Sequence, residues 1–277
     1  MFMASSSAVG AYGFRVNGLS GGEALLVPVP PHWPIVDVAV RSGRDNHRGA
    51  LIDDDHADLE LIDGIVAHVQ RSPAGVTFVT PQPLTVQALA HPFLGGVASL
   101  FGYWQGRESF HGGAFLAGGK AWGVVADREG GKSTTMAWMA QNGIAVLSDD
   151  LIMLDGSLVL AGPRSIDLRE EPISDLAAEE LGIVGARARW RVSLGAVPAE
   201  VPLGGWFFLG WSDEASLRYL PGAERLQRLG RNRSLQLLPK DPTELVRLAT
   251  MPAWEVKRPR LSGDVRHTAE QMLAAIA

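Results

Sequence analysis

The chain predicts an α/β fold, with a small β-rich region over residues 1–86 followed by a larger α/β domain over residues 87–277. Three observations predict it. Between residues 122 and 150, an apolar run, a glycine turn, a stretch with helical periodicity and a second apolar run follow one another as strand, loop, helix and strand. Ahead of this unit the chain is rich in Pro and Gly and alternates apolar and polar residues, as at Ile35 to Val40, which reads as short strands. Behind it, further β-type runs alternate with helical patterns, and no repeat or low-complexity segment appears.

In the first region the spacing predicts short strands, with one helix around Ala57 to Gln70. The run Asp53-Asp54-Asp55-His56 resembles a metal site in composition only. Consecutive residues cannot all face one ion, so it reads as a solvated helix start. The organisation changes between residues 85 and 110, where Ala88 to Trp104 is the longest apolar region. It contains His91 and Pro92 and suits a packed helix better than a membrane span. His47, His91 and His267 lack ligand spacing and read as surface or packing residues.

The unit from 122 to 150 carries the chemistry. Trp122 to Ala126 is a strand, and Gly130-Gly131 lets the backbone curl so that amides point at phosphate oxygens. Lys132 adds a point charge at the β/γ phosphates, Ser133 offers a hydroxyl to Mg²⁺, and the following helix directs its positive end to the same spot. The stretch Ala126-Asp-Arg-Glu-Gly-Gly-Lys-Ser133 departs from the Walker A pattern at its first position, and Asp127 and Glu129 repel phosphate unless they face solvent. Arg128 partly offsets them. The nucleotide-binding set is therefore Arg128, Glu129, Gly130, Gly131, Lys132, Ser133 and Thr134.

From Ser133 the helix places Met136, Met139 and Ala140 on one face and stops at Asn142-Gly143. Ile144 to Leu147 reads as a buried strand, so the two strands are parallel and their carboxyl ends share one edge. Asp149 and Asp150 then emerge beside the loop. One carboxylate there can hold Mg²⁺, and the other can accept a proton from an attacking hydroxyl.

The stretch from His111-Gly-Gly through Trp122-Gly-Val-Val-Ala, then Gly-Gly-Lys-Ser-Thr, then Val-Leu-Ser-Asp-Asp, resembles the HPr kinase/phosphorylase catalytic core and its HPr kinase-like relatives. The phosphoenolpyruvate carboxykinases share the arrangement. The resemblance covers about residues 109 to 170 and implies a P-loop kinase core with a mixed sheet, using ATP and Mg²⁺. It implies that His111 lies near the metal and the transferred phosphoryl group, with Lys132 and Asp149 also catalytic. Asp149 would be the base, and Ser133 and Asp150 would hold the metal. The family's Glu-Ile-Arg-Gly signature is absent, the nearest acidic residues being Asp167, Glu170 and Glu171, while Gly230-Arg231-Asn232 echoes a Gly-Arg-Asn near the family's C-terminus. The chain is thus similar to the divergent HPr kinase-like proteins. Some of these belong to ribosomal-peptide pathways, including lasso peptides, and phosphorylate a peptide serine.

After the aspartates, Asp155-Gly156 between apolar runs signals a hairpin. Gly162-Pro163-Arg164 turns back toward the site edge, so Arg164 or Arg169 can clamp a phosphate or pair at the surface. Ser174 to Gly182 reads as a short capped helix. Arg187, Arg189 and Arg191 alternate with apolar residues, giving a strand with one cationic face that either steers an anionic substrate or forms a solvated edge. Leu203 to Trp211 is a buried strand, Asp241-Pro242-Thr243-Glu244 starts a helix running to Thr250, and another helix closes the chain after Thr268.

Composition narrows the function classes. With 46% hydrophobic residues over 277 positions the chain can bury a sizeable core. A formal net charge of -5 argues against nonspecific binding to nucleic acid or anionic membranes. Without Cys there is no disulfide, thiolate nucleophile or Cys-based zinc site. The Met1 to Ser7 segment lacks a basic stretch before an apolar one, so no signal peptide is read and a cytoplasmic location is expected. The expected activity is phosphoryl transfer from ATP to a hydroxyl, foremost Ser of a peptide or small protein. Two readings stay open beside it: a small-molecule kinase, and a nucleotide-binding regulatory protein with weakened catalysis. A homo-oligomer is compatible with all three.

Overall fold

The structure is a computed structural model that describes residues 8–45, 51–169, 177–184, 187–260 and 264–277. Its first sheet is built from β1 (Val9–Ala11), β2 (Phe14–Asn17), β3 (Val27–Pro28), β4 (Ile35–Ser42), β5 (Leu51–Ile52), β6 (His56–Glu60), β7 (Val66–Gln70) and β8 (Gly75–Thr80), in the order β3-β1-β2-β4-β8-β7-β6-β5. The period-two pattern explains it. In β4, Val36 and Val38 are buried while Ile35 and Asp37 face out.

The helix expected over Ala57 to Gln70 is instead the antiparallel pair β6–β7, with Ala57 opposite Val69 and Leu59 opposite Ala67. The apolar residues at 57, 59, 67 and 69 satisfy a period of two, and Ile62–Gly64 supplies the turn. Asp53 likewise starts no helix: its Oδ1 accepts from the amides of Asp55 and His56, closing the turn between β5 and β6.

Two helical pieces follow, α1 (Val86–Ala88) and α2 (Leu94–Trp104). Between them His91 is extended, with φ -152 and ψ 123, because the residue before a proline avoids the helical region. Among the described residues no helix is long and apolar enough to cross a membrane.

The second sheet comprises β9 (Glu108–Ala117), β10 (Lys120–Ala126), β11 (Val146–Ser148), β12 (Leu151–Asp155), β13 (Leu158–Leu160), β17 (Glu200–Trp211), β18 (Ser216–Tyr219) and β19 (Ala253–Arg258). It is mixed: β10–β17 and β17–β19 are parallel, and β9 is antiparallel to β10, β11 and β12. A small antiparallel sheet, β14 (Ser165–Leu168), β16 (Arg187–Ser193) and β15 (Glu179–Val184), completes the strands.

The helix read over Ser174 to Gly182 is not formed from Glu179 onward, where the chain is β15; residues 174–176 lie outside the described residues, as do His47, Glu170 and Glu171. The arginine strand β16 is central, not an edge, so Arg189 and Arg191 are buried at 8% and 4% exposure. The Asp155-Gly156 hairpin forms, joining β12 to β13.

The helices α3 (Lys132–Gln141), α4 (Gly222–Arg231), α5 (Pro242–Thr250) and α6 (Asp264–Ala274) complete the chain. The α5 start follows its sequence: Asp241 caps the Thr243 amide, with Pro242 in the first turn. The closing helix begins at Asp264, before Thr268. One core cluster runs through both large sheets, taking in Val36, Phe78, Leu100, Phe110 and Trp206. A second lies under α3 and α6 and contains Phe115, Met136, Met139, Phe207 and Met272.

Candidate active site

β10 and β11 both run antiparallel to β9, so they run parallel to each other with β9 between them. β17 and β19 share that direction. The carboxyl ends at Ala126, Ser148, Trp211 and Arg258 therefore meet at one edge, where open α/β sheets bind ligands.

The loop after β10 is shaped by two residues of positive φ, Glu129 (φ 62) and Gly131 (φ 74). The left-handed φ of Gly131 strains any side chain placed there, and an added Cβ, 2.1 Å from Arg258 Nη2, would push the arginine tip aside. Arg258 Nη2 donates to the Gly131 carbonyl at 3.1 Å, and Trp211 Nε1 donates to the Glu129 carbonyl at 3.1 Å. The strand ends thus hold the loop from the side. The Gly130 amide closes a turn onto Asp127 O, and the Thr135 amide donates to Gly131 O. Helix geometry then leaves the amides of Lys132, Ser133 and Thr134 without intrahelical partners, pointing off the α3 N-terminus. Asp127, Arg128 and Glu129 are exposed on the crest of the loop, which places the two acidic residues in high dielectric, where their repulsion of phosphate is weak.

Asp149 and Asp150 lie between β11 and β12, opposite Gly113 and Gly112 of β9. A Cβ at Gly113 would stand 2.9 Å from Ser148 O and 3.5 Å from Asp149 Oδ1, which gives the Gly-Gly after His111 a physical reason. Asp150 adopts positive φ (64), a conformation Asp tolerates better than most residues, and the backbone kink turns both carboxylates toward the loop. Lys132 Nζ lies 3.1 Å from Asp150 Oδ1 and 3.6 Å from Asp149 Oδ1. Ser133 Oγ donates to Asp149 Oδ1 at 3.2 Å. The loop and the acidic pair form one connected constellation.

The two carboxyls sit in different environments. Asp149 is fully buried, and burial together with the charge of Asp150 raises its pKa. Asp150 keeps 28% exposure; burial works against ionisation, but Lys132 and then His91 outweigh it and hold its pKa well below the usual carboxylate range. At Lys132, burial favours the neutral amine, yet Asp150 and Asp149 overcome it and raise its pKa.

His91 enters this site, against its bland reading from sequence. Its Nε2 lies 3.6 Å from Asp150 Oδ2 and 3.9 Å from Asp167 Oδ2, and among the described residues it has no hydrogen-bond partner. The kink before Pro92 is clamped by Arg191, which donates to His91 O at 2.9 Å and Gln87 O at 3.3 Å. Arg191 is held in turn by a bidentate pair with buried Asp167, at 2.7 and 2.8 Å. Tyr12 arrives from the first sheet, its hydroxyl donating to Asp149 O at 3.4 Å. Burial and the two aspartates push its phenol pKa well above 10.0.

His111 lies on the rim, with its side chain exposed and its amide donating to Asn232 O at 2.9 Å. Desolvation against the site and the nearby charge of Lys132 lower its imidazole pKa. The Gly230-Arg231-Asn232 segment thus packs beside His111, and Arg233 anchors it through a bidentate pair with buried Glu108, at 2.7 and 3.1 Å. Arg164 donates both Nε and Nη2 to Leu194 O at 3.3 Å, a structural use within the fold. Arg169 lies close enough to His111 to depress its pKa.

The structure therefore gathers Lys132, Ser133, Asp149 and Asp150 at one point, with His111 at the rim and Arg128 and Glu129 on the loop crest. His91, Tyr12 and Arg258 join from segments that carried no local motif, and Arg191 joins from the alternating arginine strand.

No protein-family model matches the chain, and no curated protein matches it. Among solved structures, the Hpr(Ser) kinase/phosphatase from Coxiella burnetii is similar, at 12% identity and a TM-score of 0.32, over 61% of this chain and 95% of that one. This is a distant structural relationship. The fold itself is a mixed α/β arrangement with large mixed sheets.

Proposed function

We propose that the chain is an ATP- and Mg²⁺-dependent kinase that transfers the γ-phosphoryl group to a hydroxyl, foremost Ser of a peptide or small protein. One observation carries the reading: the N-terminus of α3, Lys132, Ser133 and the carboxylates of Asp149 and Asp150 converge at the carboxyl edge of the sheet. The amides of Lys132 to Thr134 and the Lys132 ammonium suit phosphate oxygens. The two carboxylates and the Ser133 hydroxyl, with Asp149 Oδ2 lacking a hydrogen-bond partner among the described residues, fit a divalent cation. Such an ion, when bound, neutralises charge on the phosphate oxygens.

The opposite pKa shifts divide the carboxylates. Asp150 stays ionised and suits the metal, while Asp149, with its pKa raised, is the better proton acceptor. In the transfer, the acceptor oxygen forms a bond to the γ-phosphorus, its proton passes to Asp149, and ADP leaves with the electrons of the broken P–O bond. His111 at the rim, its pKa lowered, offers a neutral imidazole beside the transferred group.

The acceptor class is tested with labelled ATP against serine-containing peptides and a panel of small hydroxyl compounds. Label on peptide serine supports the proposal, whereas label only on a small molecule replaces the acceptor. Stabilisation by Mg·ATP without any transfer replaces the kinase with a nucleotide-binding regulator.

A further inference from the structure

We propose that His91 is a direct ligand of the divalent cation at this site, and that its imidazole lets the nucleotide-free site bind Mn²⁺ and prefer it to Mg²⁺. The inference rests on the kinase reading for its use but not for its test. His91, Asp149 and Asp150 each offer one ligand atom, all within 4.8 Å of one another. Buried polar atoms are nearly always hydrogen-bonded, yet among the described residues His91 Nε2, on a side chain 2% exposed, has no hydrogen-bond partner, and neither does Asp149 Oδ2. Two adjacent unsatisfied atoms in a polar cluster mark a place built for a ligand.

The charge count agrees. Arg191 already neutralises Asp167, and the Asp149–Asp150 pair faces the ammonium of Lys132 with the imidazole of His91 beside it, so with His91 neutral, as a metal ligand is, the ionised pair exceeds the ammonium by one negative charge that a cation can balance. The imidazole is also held ready. Arg191 ties the His91 carbonyl to Asp167, and Pro92 keeps His91 extended, so orienting the ring costs little on binding.

The donor set decides the metal. Mg²⁺ prefers oxygen, holds its water tightly and is usually bound by one or two carboxylates together with substrate phosphates. A set of imidazole nitrogen and two carboxylates suits Mn²⁺ and its transition-metal neighbours, which accept nitrogen more readily. Three protein ligands also allow binding before phosphate arrives. Asp149 lends one oxygen in that state and keeps the other for the acceptor proton.

Mn²⁺ is titrated into the nucleotide-free protein and followed by electron paramagnetic resonance, with Mg²⁺ as competitor. Pulsed measurements on the bound ion read out coupling to an imidazole nitrogen. The wild type is expected to bind Mn²⁺ with that coupling, and His91→Gln to lose the coupling and weaken Mn²⁺ binding by roughly tenfold or more, since even outer-shell partners carry that much. His111→Ala should retain the coupling. Thermal denaturation of His91→Gln establishes that it is folded, and the wild-type spectrum needs no variant. Bound Mn²⁺ without imidazole coupling, no Mn²⁺ binding without nucleotide, or wild-type binding by folded His91→Gln each overturns the inference. Mn²⁺ bound through His91 in a protein that never transfers phosphate would keep the inference and remove the kinase reading instead.

Discussion

The ammonium of Lys132 lies 3.1 Å from Asp150 Oδ1 in a pocket where the lysine side chain is only 7% exposed. The loop lysine and the strand-end carboxylate therefore balance each other; alone, the ammonium would be a buried charge and the Asp150 carboxylate a partly buried one. Lys132→Met should lower stability by about 3 kcal/mol, the lower end for breaking a buried pair. Protonation of Asp149, with its raised pKa, offsets part of the loss. Adding Asp150→Asn to Lys132→Met should restore part of the urea midpoint while leaving transfer absent. An unchanged midpoint in Lys132→Met would show that the pair does not carry this role.

Gly131 sits at φ 74, a left-handed conformation that strains any side chain, and an added Cβ would lie 2.1 Å from the tip of Arg258. Gly131→Ala should cost about 1 kcal/mol for the left-handed backbone, and it should displace Arg258. Nucleotide titration is the sensitive readout, with affinity expected to fall more than stability. Equal nucleotide affinity in the variant would mean that the loop conformation is not what binds phosphate.

The buried Arg191–Asp167 pair supports the broken turn at His91. Arg191→Met should destabilise by about 3–5 kcal/mol, because buried Asp167 is left without its guanidinium partner and the His91 carbonyl loses its donor. Arg191→Met with Asp167→Leu should recover much of that loss by chemical denaturation. Additive losses in the double variant would argue against coupling between the two.

On β7 of the first sheet, His68 bridges Asp58 at 2.5 Å and Asp45 at 2.7 Å. Partial burial works to lower its pKa, but hydrogen bonds to Asp58 and Asp45 outweigh it and raise it above the ordinary 6.5. The folded state thus binds the proton more tightly than the unfolded chain. This stability is fully present below pH 6.5 and is lost as pH rises through the folded-state pKa. Denaturation midpoints at about pH 5.5 and about pH 9 should differ less in His68→Ala than in the wild type. An identical pH dependence would refute the bridge.

Much of the centre was readable because its parts are local. Gly130 to Ser133, Asp149 and Asp150 stand within one strand–helix–strand unit, and the order of elements dictates that the strand ends meet. The Asp155-Gly156 hairpin and the Asp241 cap were equally local. His91 was missed because its partner Asp150 belongs to another segment, and Tyr12 reaches Asp149 across 137 residues of sequence. The arginines of β16 read as a cationic face, either steering an anionic substrate or solvated at an edge, because alternation reports a two-faced strand and not what covers either face; Asp167 and the carbonyls of Gln87 and His91 bury Arg191. The misread helix over 57–70 shows the same limit, since two short strands with a turn leave apolar residues at spacings a helix can also accommodate.

The most direct test of the central claim compares the wild type with Asp149→Asn, measuring Mg·ATP binding by calorimetry and release of labelled γ-phosphate to an acceptor. Asp149→Asn should bind nucleotide with affinity within about threefold of the wild type and lose transfer by at least about 100-fold, the scale of a positioned proton acceptor. Full transfer by Asp149→Asn would contradict the assigned role, and a wild type that neither binds nor turns over ATP would contradict the site itself.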